Sequence, residues 1–469
     1  MSVKLKLNQR IKIIDLQENQ INFLIDNKKK STFFSDNEDL KNHMLKFIND
    51  GCELYELANL FNFSNLNELR LLNFIQNLEK FNFIEYHFNF DDPKFCIISP
   101  IHHSFINSIY SCFTENYKNN LSSQYLFSRF TFFKIYSDLI IIESPRSKIR
   151  LSIHIDLFHQ ILNVFTKKLN VFDVFVNFKL ETIIFYKFLE ENNIIHSPTY
   201  SEPSYLQTWE FHDLLFHSES RLGRADDSIN FGGTYRFLNL TSPPSNSKNT
   251  NFKNFITLPK PDMNNLLKND LSFTQILENR RSYRKFENGE GLNKALLGDF
   301  LYRSVGVRKV GKNSLQDAIY KPFPSAGALH EIEFYLVINN SQDFNKDIYF
   351  YDSCKNTLHG LEVKEKYIKK IISNARTAMG RDSSFPDALV VLTSRFGKNA
   401  WKYQKIAYRC TLITVGAIFQ TMSLVASALN IGSCVIGSGD PYLFGEATNI
   451  PLLEEGTVGE FALGAISSV

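Results

Sequence analysis

Cysteine is sparse and nowhere closely paired. The six cysteines, Cys52, Cys96, Cys112, Cys354, Cys410 and Cys434, contain no Cys-x-x-Cys spacing. That excludes a zinc ribbon or a thioredoxin-type redox site, and scattered thiols fit a reducing, cytoplasmic setting. Long apolar runs are missing too. No stretch of about eighteen apolar residues occurs, so no membrane span or membrane partner is expected, and the N-terminus carries no signal-type segment. An excess of one charge is also lacking. A net charge of +3 over 469 residues gives no overall pull on nucleic acid.

The chain has 43% hydrophobic and 22% charged residues, enough to bury full cores in two to four domains. Its first part reads as helix, helix, helix, strand: Leu40–Ile48, Leu54–Phe61, Leu66–Leu78 and Phe83–Phe88. That is the order of a winged helix-turn-helix. Between Asp36 and Phe90 it carries four basic against nine acidic residues. DNA affinity comes from Lys and Arg neutralising phosphates, so peptide or protein recognition is expected here, and no nucleic acid. A second unit of similar kind follows, with strands at Phe127–Lys134, Asp138–Glu143 and Ile149–Ile155 and helices near Leu157–Thr166 and Glu181–Glu191. The expected domains are therefore 1–100 and 101–240, both winged-helix-like. A Ser/Asn/Pro linker at 241–251 precedes a third domain at 252–469. In Trp209-Glu-Phe-His-Asp-Leu-Leu-Phe-His217 the two histidines stand five apart. Helical metal pairs stand three or four apart, so an amphipathic packing helix is expected there and no metal.

The third domain opens on Ile276-Leu-Glu-Asn-Arg-Arg-Ser-Tyr-Arg-Lys-Phe286. Ser272 is a suitable N-cap for the preceding helix, which puts Arg280, Arg281, Ser282 and Arg284 at its end. Converging guanidinium forks and a hydroxyl suit a phosphate monoester; a solvated basic helix end has the same composition. Phe323-Pro-Ser-Ala-Gly-Ala-Leu-His330 follows, a loop of small residues that lets the backbone approach a flat or anionic ligand. Strands are expected at Ile332–Ile338, Ile348–Tyr351 and Ala388–Thr393. A long helix, opening at Ala400 and ending at Asn430-Ile-Gly432, is read as a central core helix too short to span a membrane.

These motifs carry a resemblance. "RRSYRKF", "PSAGALHEIEFYLV", a long helix and then "NIGSCVIG" resemble the FMN-dependent nitroreductase superfamily. "PSAGAL" with "IYFYD…LHGLE", "SRF…IIIESPRSKIRL", "WEFHDLLFHSESRLGR" and the adjacent Lys402-Tyr403 resemble its SagB/ThcOx-type azoline dehydrogenases, over roughly residues 120–469. The resemblance implies an α+β fold on a mainly antiparallel sheet with core helices, working as a homodimer with FMN between subunits. It implies that Arg280, Ser282 and Arg284, with Arg281, hold the FMN phosphate. Pro324, Ser325, Ala326 and Gly327 would line the ring edge, and Gln420, Ile436 and Gly437 would complete the pocket. It implies Lys402 and Tyr403 as the proton-transfer pair, without saying which is the base. Its substrate is a thiazoline or oxazoline in a precursor peptide, and its partner a YcaO-type cyclodehydratase. Two rival readings are an NAD(P)H-dependent nitro or quinone reductase and a winged-helix regulator with a flavin-sensing domain. One departure is His330-Glu331, where the family often has an aromatic residue and a proline.

Overall fold

The structure is a computed structural model. It describes residues 2–7, 12–17, 20–25, 28–33, 38–53, 78, 83–91, 94–101, 124–166, 179–221, 237–245, 248, 254–311 and 318–466. The chain divides into two compact units, Met1–Ile229 and Asn230–Val469.

In the first unit, seven antiparallel strands form one sheet in the order Cys52–Glu53, Ser2–Leu7, Ile84–Asp91, Lys94–Pro100, Ile149–His154, Leu139–Glu143 and Phe132–Tyr136. Alternation explains the middle strands. Ile149, Leu151 and Ile153 are buried while the residues between them are half-buried, and the buried set packs with Leu157 and Ile161 of helix Ile155–Thr166. The expected boundary at residue 100 falls at the end of a strand that pairs Ile149 with Pro100 and Leu151 with Ile98. The two expected N-terminal modules thus share one sheet. The helices expected within 54–77 lie outside the described residues. The strand expected at Phe127–Lys134 is two strands: Leu126–Phe127 pairs with Ile195–His196, and Phe132–Tyr136 turns through Ser137, at φ 54°, into Leu139–Glu143. Phe211–Glu219 is a helix with no buried residue.

The second unit is an α+β domain on a fully antiparallel seven-stranded sheet. Its order is Phe255–Thr257, Thr357–Gly360, Ile348–Asp352, Ile332–Ile338, Ala388–Arg395, Glu455–Gly464 and Gly432–Ile436. Both faces are covered. Ile332, Phe334, Leu336 and Ile338 join a core with Phe300 and Leu301 of helix Lys294–Val305 and Ile418 and Met422 of helix Ala407–Ala428. Tyr335 and Val337 point the other way, to Ile368, Ile372 and Ala375 of helix Glu365–Met379 and to Phe444. Strand Ala388–Arg395 splits in the same manner. Burial on both faces explains why these strands read as continuous apolar runs.

Three expectations about the long helix change. It is broken: helix Phe396–Lys402 ends at Tyr403, whose ψ of 144° is extended, and Ala407–Ala428 starts anew. It is not wholly interior, because Leu412, Ile413, Gly416 and Gln420 lie exposed along one face. By length and composition it is long and apolar enough to cross a membrane, although Val415, Ile418 and Met422 pack into the core of the domain. Its C-terminal signal holds: Asn430 takes the left-handed conformation at φ 54°.

Gly298 separates helix propensity from packing. Alanine in a helix gains about 1 kcal/mol over glycine. A Cβ on Gly298, however, would lie 2.7 Å from the Pro259 carbonyl oxygen, a backbone atom that cannot swing aside. Gly298→Ala should therefore lower the thermal transition despite the better propensity, since overpacking costs about 1–3 kcal/mol. An unchanged or raised transition would show that the helix has room to shift.

Candidate functional site

The arginine run is held by backbone and glycine contacts. Ser272 accepts from the Gln275 N–H at 3.3 Å, and the Gln275 side chain accepts from the Ser272 N–H at 3.0 Å, so a capping box starts helix Phe273–Asn279. Arg280 is its C-cap, with an extended backbone at ψ 120°. The Tyr283 N–H donates to the Ser433 carbonyl at 2.8 Å, and the Arg284 carbonyl accepts from the Ser384 N–H at 3.0 Å. Phe286 seats its ring against Gly464 and Gly432, where a Cβ would meet that ring at 2.5 and 3.2 Å. Arg280, Arg281, Ser282 and Arg284 are all exposed. None of them makes a side-chain hydrogen bond or ion pair among the described residues, which leaves the donor set free for a phosphate. Burial pushes the nearby Cys434 thiol up, and Arg284 opposes the shift. Strand Gly432–Ile436 leads directly to Gly437, where an added Cβ would meet nothing within 4 Å.

The second group forms around the small-residue loop. Gly327, Ala328 and His330 have φ of 60°, 55° and 47°, three left-handed residues in four positions. For the two non-glycine residues such a backbone is strained. A Cβ on Gly327 would fall 2.7 Å from Lys402 Nζ and 2.8 Å from Tyr403 OH, so the bare glycine backbone lies directly against both side-chain ends. Tyr403 is buried with Leu329 and Ala407, and Lys402 is half-buried. Pro324 and Gly327 are exposed. The Ser325 hydroxyl is turned inward: it donates to Glu331 Oε2 at 3.2 Å and accepts from the His330 N–H at 3.1 Å.

The structure thus collects the predicted residues into two groups: the arginine run with Ile436–Gly437, and Pro324–Gly327 with Lys402–Tyr403. Gln420 is exposed on helix Ala407–Ala428 and its side chain makes no hydrogen bond among the described residues. Among the described residues, no cluster of three or more His, Cys, Asp or Glu fits a metal.

The sequence reading missed a buried polar network behind the second group. Glu331, Glu333, Lys398, Asn399 and Glu455 are all buried. Asn399 Nδ2 donates to Glu331 Oε1 at 2.7 Å. Lys248 pairs with Glu455 at 2.7 Å, and Tyr335 and Thr393 each donate to Glu455 Oε1 at 2.8 Å. Burial pushes Lys398 down to about 8. Burial, with Lys321 and Lys398 nearby, takes His330 down to about 3, so its ring stays neutral. The one available signal was two glutamates at alternate positions entering an otherwise apolar strand. Glu460 was missed as well. It pairs with Ile436 across the sheet, and Gly439 passes so close that a Cβ would lie 2.5 Å from Glu460 Oε1.

Comparison with known proteins follows this geometry. Residues 277–465 match the nitroreductase family model, and residues 125–226 match that of the cyanobactin oxidase ThcOx. Residues 277–465 form a nitroreductase-like domain. The SagB/ThcOx-type resemblance is supported over both stretches, and the family is one of oxidoreductases. No curated protein matches the chain. Among solved structures, a provisionally assigned nitroreductase from Ralstonia eutropha JMP134 is 17% identical over 49% of this chain and 96% of its own, with a TM-score of 0.36. The E. coli microcin synthetase McbBCD complex, with truncated pro-MccB17 bound, is 19% identical over 51% and 89%, with a TM-score of 0.34. An FMN-dependent nitroreductase from Clostridium difficile R20291 is 16% identical over 42% and 89%, with a TM-score of 0.28. At such scores the structures add nothing to the two family matches.

Within the nitroreductase domain, Glu460 gives a pH signature. Burial, with Asp440 adding to it, raises its carboxyl to about 7. The folded pKa then lies above the unfolded one, so stability is fully present below the unfolded pKa and falls as pH rises through about 7. Glu460→Gln removes the ionisation. Near pH 8 it should be more stable than the parent, by up to about 3 kcal/mol, with a higher thermal transition, and the advantage should vanish near pH 4. A variant that shows the same offset at both pH values would refute the assignment.

Proposed function

We propose that the chain is an FMN-dependent dehydrogenase that oxidises thiazoline or oxazoline rings in a ribosomally made precursor peptide to the aromatic azoles. One observation carries this reading. In a nitroreductase domain that follows a ThcOx-type segment, Gly327 passes against both Lys402 Nζ and Tyr403 OH.

Ring oxidation removes a proton from one carbon and a hydride from its neighbour. FMN supplies the hydride-accepting chemistry when bound. The exposed guanidiniums of Arg280, Arg281 and Arg284, with the Ser282 hydroxyl, suit its phosphate, and the open space at Gly437 suits a ring edge. Lys402 and Tyr403 are assigned to the proton, one as base and one as orienting group. The loop 324–327 limits how the ring can lie against them, and Tyr403, packed with Leu329 and Ala407, keeps that side dry. A cyclodehydratase of the YcaO type would form the rings that this site consumes. The acidic stretch 36–90 is assigned to peptide or partner recognition.

A homodimer is part of the reading. Tyr408, Leu412 and Ile413 expose apolar surface on one helix, with Ile413 at 64%. About 140 residues earlier, on the helices Met263–Asn269 and Phe273–Asn279, Leu267 and Phe273 stand at 82% and 67%. A second copy covers such a surface with self-complementary contacts.

The purified protein should be yellow, release FMN on denaturation, and remove the mass of two hydrogens per ring from an azoline peptide. Replacing Arg280 and Arg284 together by Ala should give colourless protein. Lys402→Ala or Tyr403→Phe should keep FMN yet lose oxidation by about 10²-fold or more. Near-normal turnover in both single variants would remove the pair from the chemistry. Ile413→Glu should shift the protein from dimer to monomer in sedimentation. An already monomeric parent with full FMN would refute the dimer.

A further inference from the structure

The catalytic pair and the small-residue loop come from chain segments about seventy residues apart, and one buried side chain ties them together. Glu331 is fully buried, at 0% exposed. Its Oε2 accepts from the Ser325 hydroxyl at 3.2 Å, which is the start of the loop. Its Oε1 accepts from Asn399 Nδ2 at 2.7 Å, on the helix Phe396–Lys402. Its backbone carbonyl accepts from the Arg395 N–H at 3.1 Å, at the root of that helix. Asn399 is one turn before Tyr403, whose N–H donates to the Asn399 carbonyl at 2.7 Å. Asn399 Nδ2 also donates to Thr411 Oγ1 at 3.0 Å, on the helix that restarts after the break.

We propose that Glu331 is a positioning residue: its carboxylate bridges Ser325 and Asn399 and so holds Gly327 in register with Lys402 and Tyr403. The inference rests on the assignment of Lys402 and Tyr403 to proton transfer. Three left-handed residues in the loop are the reason a bridge is needed. Such a backbone persists only where its surroundings over-determine it. Ser325, which accepts from the His330 N–H, passes the restraint from Glu331 across the strained turn. The helix end is equally unsupported by sequence, since it breaks at Tyr403 with neither Gly nor Pro in Tyr403-Gln-Lys-Ile406. A bridge from a buried carboxylate to both sides sets their separation by hydrogen-bond lengths. Misplacement of a reacting group by about 1 Å can cost about 10²-fold in rate.

The test uses the full-length protein with FMN and an azoline peptide. Glu331→Ala, which keeps the backbone bond to Arg395, should lower kcat by about 10²-fold with KM and FMN content little changed. Glu331→Gln can accept from Asn399 and donate to the Ser325 hydroxyl, so it should recover most of the rate. Glu331→Ala combined with Asn399→Ala should be no worse than the poorer single variant, because both break one bridge. Hydrogen exchange of residues 323–330 should quicken in the Ala variant and not in the Gln variant. If Glu331→Ala proves too unstable to purify, Ser325→Ala removes only the outer arm and should show the same loss of kcat and the same faster exchange. Parent-like kcat and exchange in the Ala variants, with Lys402→Ala inactive, would overturn the bridge alone. A Gln variant as impaired as Ala would also overturn it. Full turnover by both Lys402→Ala and Tyr403→Phe would instead remove the reading of the site, and the exchange data would still decide whether Glu331 orders the loop.

Discussion

Everything in the second unit depends on a sheet whose central strands have no wet face. Strands Ile332–Ile338 and Ala388–Arg395 are covered by helices on both sides, and nearly every residue in them is buried. Such strands cannot meet water through their side chains, so their polar groups must find partners within the protein. The polar groups gather where Glu331, Glu333 and Glu455 are buried together with Lys398 and Asn399, with the half-buried Arg395 beside Glu333. Lys402, Tyr403 and Gly327 lie against that region. A dry sheet thus leaves its charged groups beside the chemistry assigned to the domain.

The fold was largely legible where periodicity decides structure. Ile332–Ile338 is a strand with the bounds its pattern suggests, and the Ala388 strand extends only two residues past expectation. Ser272 caps the helix before the arginines, as its position implied. What was illegible is set at long range. Nothing local in Tyr403-Gln-Lys-Ile406 announces a helix break, because the break answers to Leu329 and Gly327, more than seventy residues earlier. The shared sheet of the first unit is hidden for the same reason. Its pairing of Ile149 with Pro100 spans about fifty residues and leaves no mark on either strand's own pattern.

The candidate site was legible in its residue types and less so in its arrangement. Spacing picked out Arg280 to Arg284 and the loop 324–327, and resemblance picked out Lys402 and Tyr403. No pattern predicted that these fall into two groups, or that the Ser325 hydroxyl faces Glu331. Composition misread the long helix. A run of apolar residues suggests burial, yet Leu412 and Ile413 are exposed beside Gly416. Apolar content reports that surface will be covered, without saying whether by the same chain or another.

The clamp on the arginine run bears on the timing of biosynthesis. Residues 283–287 near the start of the domain are fixed by backbone bonds to Ser384, Ser433 and Ala465. Phe286 fits only against Gly432 and Gly464. A ribosome delivers the first of these partners about a hundred residues after the arginines, and the last about eighty residues later still. Nascent chains acquire such contacts only after the distant strands emerge. An anion site built on these arginines would therefore not mature until Ala465 has emerged. Capture of a ligand by such a site would come well after its arginines are made, and chains truncated before Gly464 would be synthesised, yet never charged.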